Sequence, residues 1–278
     1  MAGRLIVCAT PIGNLADASP RLAATLNSAD LILAEDTRRS STLLKALEVK
    51  KPLKSYFAGN EARRASELVG LLKEGKVVAL ITDAGTPAIS DPGISAVSAA
   101  REAGAEVTVV PGPSAVTAAL SISGLPSERF AFEGFLPKKG PEREVRLSAI
   151  ATETRTTVLF VAPHQLLDDL GALASIAPDR PLCIARELTK LFEEVQWTTP
   201  SSAALEWAAR PIQGEFTLVL GGAGPDEADL EDKVEMVLAQ IDTGVQMSEA
   251  VRSVASGTGV SRRALYEEVL ARTRGTSP

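Results

Sequence analysis

The chain predicts an α/β fold, and three observations carry that prediction. Apolar runs of strand length alternate with stretches of helical spacing through the first half. Three of those strands run into turns built from Gly and Pro and then into a helix start: Thr10-Pro-Ile-Gly-Asn-Leu15, Asp83-Ala-Gly-Thr-Pro-Ala-Ile-Ser-Asp-Pro-Gly93 and Pro111-Gly-Pro-Ser114. Finally, 278 residues, 45% of them hydrophobic, suffice for a sizeable core in two domains, or in one large domain with an appendage.

The elements follow in order. Residues 5–9 read as a strand, and Ser19-Pro20 is an N-cap with Pro at the first helical position, starting a helix over 19–26. Strand 31–34, helix 37–47, strand 53–57 and helix 61–73 continue the alternation. Strand 77–81, Val-Val-Ala-Leu-Ile, delivers the chain into the long Asp83–Gly93 turn, and a helix follows over 93–101. Strand 107–110 and helix 114–122, with Ser114 as N-cap, complete a three-layer domain with a largely parallel sheet. Gly124-Leu-Pro126 sets the boundary, giving a first domain over 1–123.

The second unit, 124–225, holds strand 130–135, helix 142–151, strand 157–161, helix 165–174, strands 182–186 and 192–197, helix 202–209 and strand 216–221. Strands follow one another more often here, which predicts a mixed sheet. The acidic run Asp226-Glu-Ala-Asp-Leu-Glu-Asp232 reads as a solvated linker to a helical tail. Within that tail Gly257-Thr-Gly259 turns the chain and Ser261 caps a basic helix over 262–270, a small helix-turn-helix-like unit or a plain helical hairpin.

Composition narrows the function. Cys8 and Cys183 each lie in an apolar run, so they read as core residues in a reduced, cytoplasmic protein. His164 is the only histidine, no Cys/His cluster exists, and no metal site is expected. No apolar stretch approaches a membrane span, and Met1-Ala-Gly-Arg4 leads straight into a strand, so neither membrane nor secretion is expected. A net charge of −6 counts against a broad nucleic-acid face. Local basic clusters stand at Arg38-Arg39, at Lys50-Lys51 with Lys54, at Lys138-Lys139 with Arg143 and Arg146, and at Arg262-Arg263 with Arg272 and Arg274. Most such runs are solvated faces.

Turns of this kind at the carboxyl ends of parallel strands leave free N–H groups beside a crevice, which is where open α/β sheets bind ligands. Each turn alone is equally a tight connection, and neither G-x-G-x-x-G nor a Walker loop is present. Ala34-Glu-Asp-Thr-Arg-Arg39 places acids and bases at a strand end, either as a helix N-terminus or as a carboxylate–guanidinium set. Asn60-Glu61, Arg186-Glu-Leu-Thr-Lys190 and Gly214-Glu215 carry the same ambiguity. No Ser-His-Asp, Cys-His or paired-acid arrangement stands out. Group transfer from an activated cofactor, with the protein supplying position and electrostatics, fits that lack of a nucleophile.

Taken in order, Thr10-Pro-Ile-Gly-Asn-Leu15, Ala34-Glu-Asp-Thr-Arg38, Asn60-Glu61, Asp83-Ala-Gly-Thr-Pro87 with Ser90-Asp-Pro-Gly93, Pro111-Gly-Pro-Ser114, Glu133-Gly-Phe-Leu-Pro137, Ala185-Arg-Glu-Leu-Thr-Lys190 and Gly214-Glu215 form a set. That set resembles the bacterial 16S ribosomal RNA cytidine 2′-O-ribose methyltransferases, within the tetrapyrrole-methylase-like superfamily. The resemblance implies S-adenosylmethionine bound between two α/β domains, methylation of small-subunit ribosomal RNA at the decoding centre, and a homodimer, with no DNA or membrane partner. It places Pro11, Asp83, Ala84, Gly85, Thr86, Ser90, Asp91, Ser114, Phe160, Glu215 and Phe216 around the cofactor. It places Glu35, Arg38, Asn60, Arg186, Glu187 and Lys190 on the substrate side, with Glu35 and Glu187 as candidates for the proton. Two departures stand out: Phe160-Val-Ala-Pro-His-Gln165 replaces the family's Tyr-Glu-Ser-Pro-His-Arg, and Ala58-Gly59 stands where a histidine is usual. The same superfamily leaves two other readings: a tetrapyrrole C-methyltransferase using Arg38, Arg186 and Lys190, or a non-catalytic RNA-binding assembly factor.

Overall fold

Parallel pairing orders the first five strands. The computed structural model describes residues 3–224, 227–258 and 260–275; Met1, Ala2, Asp226 and Gly259 lie outside them, as does the Arg274 side chain. β1 (Arg4–Cys8) pairs with both β4 (Val77–Ile81) and β5 (Glu106–Val110), and β2 (Leu31–Ala34) joins β4 to β3 (Leu53–Ser55), giving the order β3-β2-β4-β1-β5, parallel throughout. The period-two rule divides the side chains between two faces. Ile6, Cys8, Ile32, Ala34, Ala79 and Ile81 face α1 (Pro20–Ser28) and α2 (Thr37–Ala46). Leu5, Leu31, Leu33, Val78 and Leu80 face α3 (Glu61–Lys73) and α4 (Ile94–Glu102). Both faces are covered, which is why these strands read as unbroken apolar runs. Ser19 Oγ accepts the Leu22 N–H at 3.1 Å, the cap expected before Pro20.

Strand β3 is shorter than its apolar run. Asn60 accepts the Phe57 N–H and closes a turn there, ending the strand at Ser55.

The second sheet, in the order β6-β7-β10-β8-β9, is mixed: β6 (Phe130–Phe135) runs parallel to β7 (Thr156–Val161), and β10 (Phe216–Leu220), β8 (Leu182–Arg186) and β9 (Glu194–Thr198) pair antiparallel. One face packs on α6 (Pro141–Thr152), α7 (Leu166–Ile176) and α8 (Pro200–Ala208), around the fully buried Trp207. The other face packs on α5 (Ala115–Ser123) through Val116, Ala119 and Leu120. The sequence order assigns α5 to the first domain, yet its apolar face seats it on the second sheet. Gly124, left-handed at φ 70°, ends that helix.

The tail is three helices, α9 (Glu227–Asp242), α10 (Met247–Thr258) and α11 (Arg262–Gly275), around a core of their own that includes Val234, Val237, Val251, Val254 and Leu265. The acidic run is therefore not a linker from Glu227 onward but the opening of α9. Glu, Ala and Leu are strong helix formers, and acidic residues suit the positive end of a helix dipole. Ser261 does cap α11, accepting the Ala264 N–H. No helix among the described residues is long and apolar enough to cross a membrane. Cys8 and Cys183 are buried thiols, pushed up by burial to about 12 and about 11.

Candidate functional site

The three Gly/Pro turns converge. Thr10 and Gly85 exchange backbone hydrogen bonds at 2.8 and 3.1 Å, tying the turn after β1 to the turn after β4. Thr86 Oγ1 reaches the Pro113 carbonyl of the turn after β5. Against this cradle stand the ends of β6 and β7 and the start of β10, and a cavity of about 300 Å³ lies between.

The first domain lines this cavity with Ile12, Ala84, Gly85, Thr86, Ser90 and Asp91, together with Ser114. Phe135, Phe160, Leu188, Glu215 and Phe216 line it from the other side. Gly85 sits at φ +82°, the left-handed region that favours glycine, while a Cβ there would meet Ile12 Cγ2 only in ordinary contact at 3.5 Å. Ala88 and Ser90 also hold left-handed φ of 70° and 63°, strain concentrated in one ligand-facing loop. The cavity falls at the lower end of ligand-pocket sizes and combines apolar walls with a few polar groups. That chemistry fits S-adenosylmethionine: aromatic and aliphatic surface for adenine, open main chain, and carboxylates for a sulfonium and an ammonium.

A bulge completes the aromatic wall. The β6–β7 register shifts between Phe132 and Gly134, and Gly134 turns left-handed at φ 60°. The extra residue brings Phe135 to the side occupied by Phe132, and both rings pack on Phe160, with centroids at 5.6 and 5.0 Å. Regular alternation places Phe132 and Phe135 on opposite faces, which is why strand periodicity does not bring Phe135, though within the Glu133-Gly-Phe-Leu-Pro137 motif, to the cavity. Ile12 and Leu188 were likewise missed, as ordinary apolar residues beside conspicuous motif positions.

Acids gather at the end of β4. Glu35 accepts the Thr82 hydroxyl at 2.7 Å, and Asp83 accepts the Asp36 N–H at 3.0 Å with the Arg39 guanidinium 3.4 Å away. Asp91 is pushed up to about 6, by burial first and then by the negative Glu35 and Asp83, against a hydrogen bond from Thr82. Burial likewise raises Asp83, which the Asp36 N–H opposes.

On the opposite rim, Glu187 accepts the Lys190 ammonium at 2.8 Å and the Glu215 N–H at 2.9 Å, and Lys190 also reaches Glu215 at 3.0 Å. Burial pulls the Glu187 carboxyl upward, but Lys190 and the Glu215 N–H outweigh it and hold it below the usual range.

Nine of the eleven residues expected around the cofactor line the cavity; Pro11 and Asp83 do not. Pro11 is buried, and Asp83 accepts the Asp36 N–H at the start of α2. None of Glu35, Arg38, Asn60, Glu187 and Lys190 lines it. Glu35 stands behind Thr82, and Glu187 and Lys190 are tied to each other beside Glu215. The Arg38 side chain is 94% exposed at the start of α2. Asn60 is spent on the turn before α3, donating to Ser55 and accepting from Phe57. His164 is exposed in the 3-10 turn Pro163–Gln165, whose Pro163 does line the cavity.

Comparison with known proteins agrees with this layout. Residues 4–204 match the model of the tetrapyrrole (corrin/porphyrin) methylases. The chain is 45% identical over 279 residues to ribosomal RNA small subunit methyltransferase I of Mycobacterium tuberculosis (strain CDC 1551 / Oshkosh), covering 99% of this chain and 97% of that protein. The protein of that name from Thermotoga maritima is 46% identical over 220 residues, covering 99% of its length but 79% of this chain, a deficit about the size of the helical tail. Among solved structures, uroporphyrin-III C-methyltransferase of Thermus thermophilus complexed with S-adenosylhomocysteine shares the fold, with a TM-score of 0.56 and 18% identity over 79% of this chain and 97% of that one. The chain belongs to the tetrapyrrole (corrin/porphyrin) methylase family of S-adenosylmethionine-dependent enzymes, in the group whose members are named ribosomal RNA small subunit methyltransferase I.

Proposed function

We propose that this protein transfers a methyl group from S-adenosylmethionine to the ribose 2′-hydroxyl of a cytidine at the decoding centre of 16S ribosomal RNA. One observation favours this over tetrapyrrole methylation: of the three cations a polycarboxylate would draw on, the two beside Glu215 are already engaged, and the third, Arg38, stands 94% exposed at the start of α2 and does not line the cavity. Arg186 donates to the Gln213 carbonyl and to Glu194, and Lys190 is held by Glu187 and Glu215. A tetrapyrrole brought to this rim meets carboxylates whose partners are taken, whereas a ribose hydroxyl needs a proton acceptor and a fixed geometry.

The bound cofactor supplies an electrophilic methyl on a sulfonium. The chain supplies the proton acceptor, and Asp91 is the best placed: it lines the cavity and its raised pKa makes it the stronger base. Glu187 is the weaker candidate, since Lys190 and the Glu215 N–H stabilise its ionised form. Glu35 acts through Thr82 as a positioning residue that keeps negative charge beside Asp91.

The protein works in the cytoplasm as a homodimer on this reading. Trp197 is 64% exposed and donates to the Ser123 carbonyl beside the exposed Ile122, an uncovered apolar patch suited to a second copy. Small ribosomal subunits from a strain lacking the enzyme, incubated with protein and methyl-labelled cofactor, should carry label on one cytidine ribose by nuclease digestion and mass spectrometry. Label on a base, or no label in RNA or subunit, would overturn the assignment. Light scattering of the purified protein tests the dimer.

A further inference from the structure

We infer that the open groove between α1, the carboxyl end of α2 and β3 is the seat of the substrate RNA's phosphate backbone. This rests on the ribosomal RNA reading above. The groove encloses about 970 Å³ and is lined by Asn27, Ser41, Lys45, Lys50 and Lys51, with Glu48 its single acid. A protein of net charge −6 must concentrate cations locally to hold a polyanion.

Several cations of the other basic clusters are paired within the chain, although Arg262 at the start of α11 is exposed. Arg143 is locked to Asp169, and Arg146 to Glu133 and nearby carbonyls. In the tail, Arg263 pairs with Glu267, and Arg272 with Glu231 and Glu235. Lys54 is paired with Glu67. Lys45, Lys50 and Lys51 form no ion pair or side-chain hydrogen bond among the described residues, and Lys45 and Lys50 are exposed. Lys138 and Lys139 likewise form no ion pair among the described residues, but they stand on an exposed loop outside this groove.

Helix α2 connects the groove to the site. At its start Asp36 is bonded to Asp83, next to the cavity loop, and Arg38 and Arg39 project there. Nine residues after Asp36, about 13–14 Å at 1.5 Å per residue, Lys45 opens the groove. A strand whose ribose enters the cavity thus meets cations at both ends of one helix. The relative from Thermotoga maritima, shorter by about the length of the tail, is consistent with RNA contacts on the body.

Each phosphate neutralised adds about 0.7 to the slope of log affinity against log salt for single strands and about 0.9 for duplex. The full-length Lys45→Gln/Lys50→Gln/Lys51→Gln variant should therefore lose about 2 from that slope. It should bind 16S transcript and isolated small subunits roughly tenfold or more weakly at physiological salt, with cofactor affinity and melting temperature unchanged. The corresponding triple Lys→Arg variant should keep the wild-type slope. Should the triple Gln variant melt low, Lys50→Gln alone should remove about one-third of the effect. A wild-type slope in the Gln variants, with wild-type protein binding both probes, overturns the groove and leaves the enzymatic reading standing. If wild-type protein binds neither probe and labels no RNA, it is the reading beneath it that fails. Binding of an acidic protein in place of RNA also overturns the proposal.

Discussion

Replacing Asp91 with Asn should stabilise this protein while disabling it. The Asp91 carboxyl is pushed up from 3.8 to about 6, with burial the largest cause and the negative Glu35 and Asp83 adding to it. A carboxyl with a raised folded pKa holds its proton better in the folded chain. The stability it lends is complete below about pH 4 and is lost as pH rises through 6. Two units at 1.36 kcal/mol each amount to about 3 kcal/mol. Asp91 is only half-buried in a cavity open to water, and solvent screening brings this to about 1.5 kcal/mol. Asp91→Asn removes the charge and keeps the shape, so at pH 7.5 the variant should melt roughly 3–6 °C higher, with the gain vanishing at pH 4. Wild-type affinity for the cationic cofactor should weaken below pH 6 as Asp91 takes up a proton, and the variant should lack that dependence. Methyl transfer should fall about 10²- to 10⁴-fold. Thermal melts from pH 4 to 8 and calorimetry at pH 5.5 and 7.5 measure all of this. A variant that melts below wild type at pH 7.5, or that keeps the wild-type pH slope, refutes the reasoning.

Three further outcomes follow from particular contacts. Gly214→Ala puts a Cβ 2.6 Å from Glu187 Cγ at a left-handed φ of +95°. It should displace that carboxylate and cost about 3 kcal/mol; the double variant with Glu187→Ala should be little worse than either single one in denaturant melts, and additive losses would contradict this. Phe160→Ala removes the ring that lines the cavity between Phe132 and Phe135 and should weaken cofactor binding roughly 10- to 100-fold by calorimetry. Arg143→Met leaves Asp169, with only 3% of its side chain exposed, without its cation, which should cost about 3–5 kcal/mol in urea melts, and adding Asp169→Leu should recover most of it.

The first sheet was legible almost to the residue, because a parallel sheet covered on both sides leaves unbroken apolar strands between Gly/Pro turns. The loops that line the cavity were legible for the same reason: Gly85 and Ser114 sit where strands end. What stayed hidden depends on direction or on distant partners. Asp83 and Asp91 share one loop, and nothing local tells which carboxylate faces the cavity and which holds the start of α2. Phe135 is concealed by the bulge at Gly134. In the tail, Arg272 stands in a basic run of the sequence and meets Glu231 and Glu235 only once α11 folds back on α9.

The same logic explains why Thr10-Pro-Ile-Gly-Asn-Leu15 and Arg186-Glu-Leu-Thr-Lys190 belong together. A Cβ on Gly13 would lie 2.4 Å from Lys190 Cγ, 2.9 Å from Thr189 Oγ1 and 3.0 Å from the Leu188 carbonyl, so the two motifs are halves of one direct contact. Glu187 and Thr189 hold left-handed φ of 52° and 66°, costing about 1–2 kcal/mol apiece for residues with a Cβ. The Thr189 hydroxyl is buried with no hydrogen-bond partner among the described residues, a further local cost. No local preference selects that conformation. It is held by Leu188 packing with Ile12 in the core beneath α5, and by Lys190 bridging Glu187 to Glu215 at the cavity wall. The strain therefore ties the placement of Glu215 to the seating of the first domain's turn. A substitution at residue 13, in the first domain's turn, should be felt through the second domain's carboxylates.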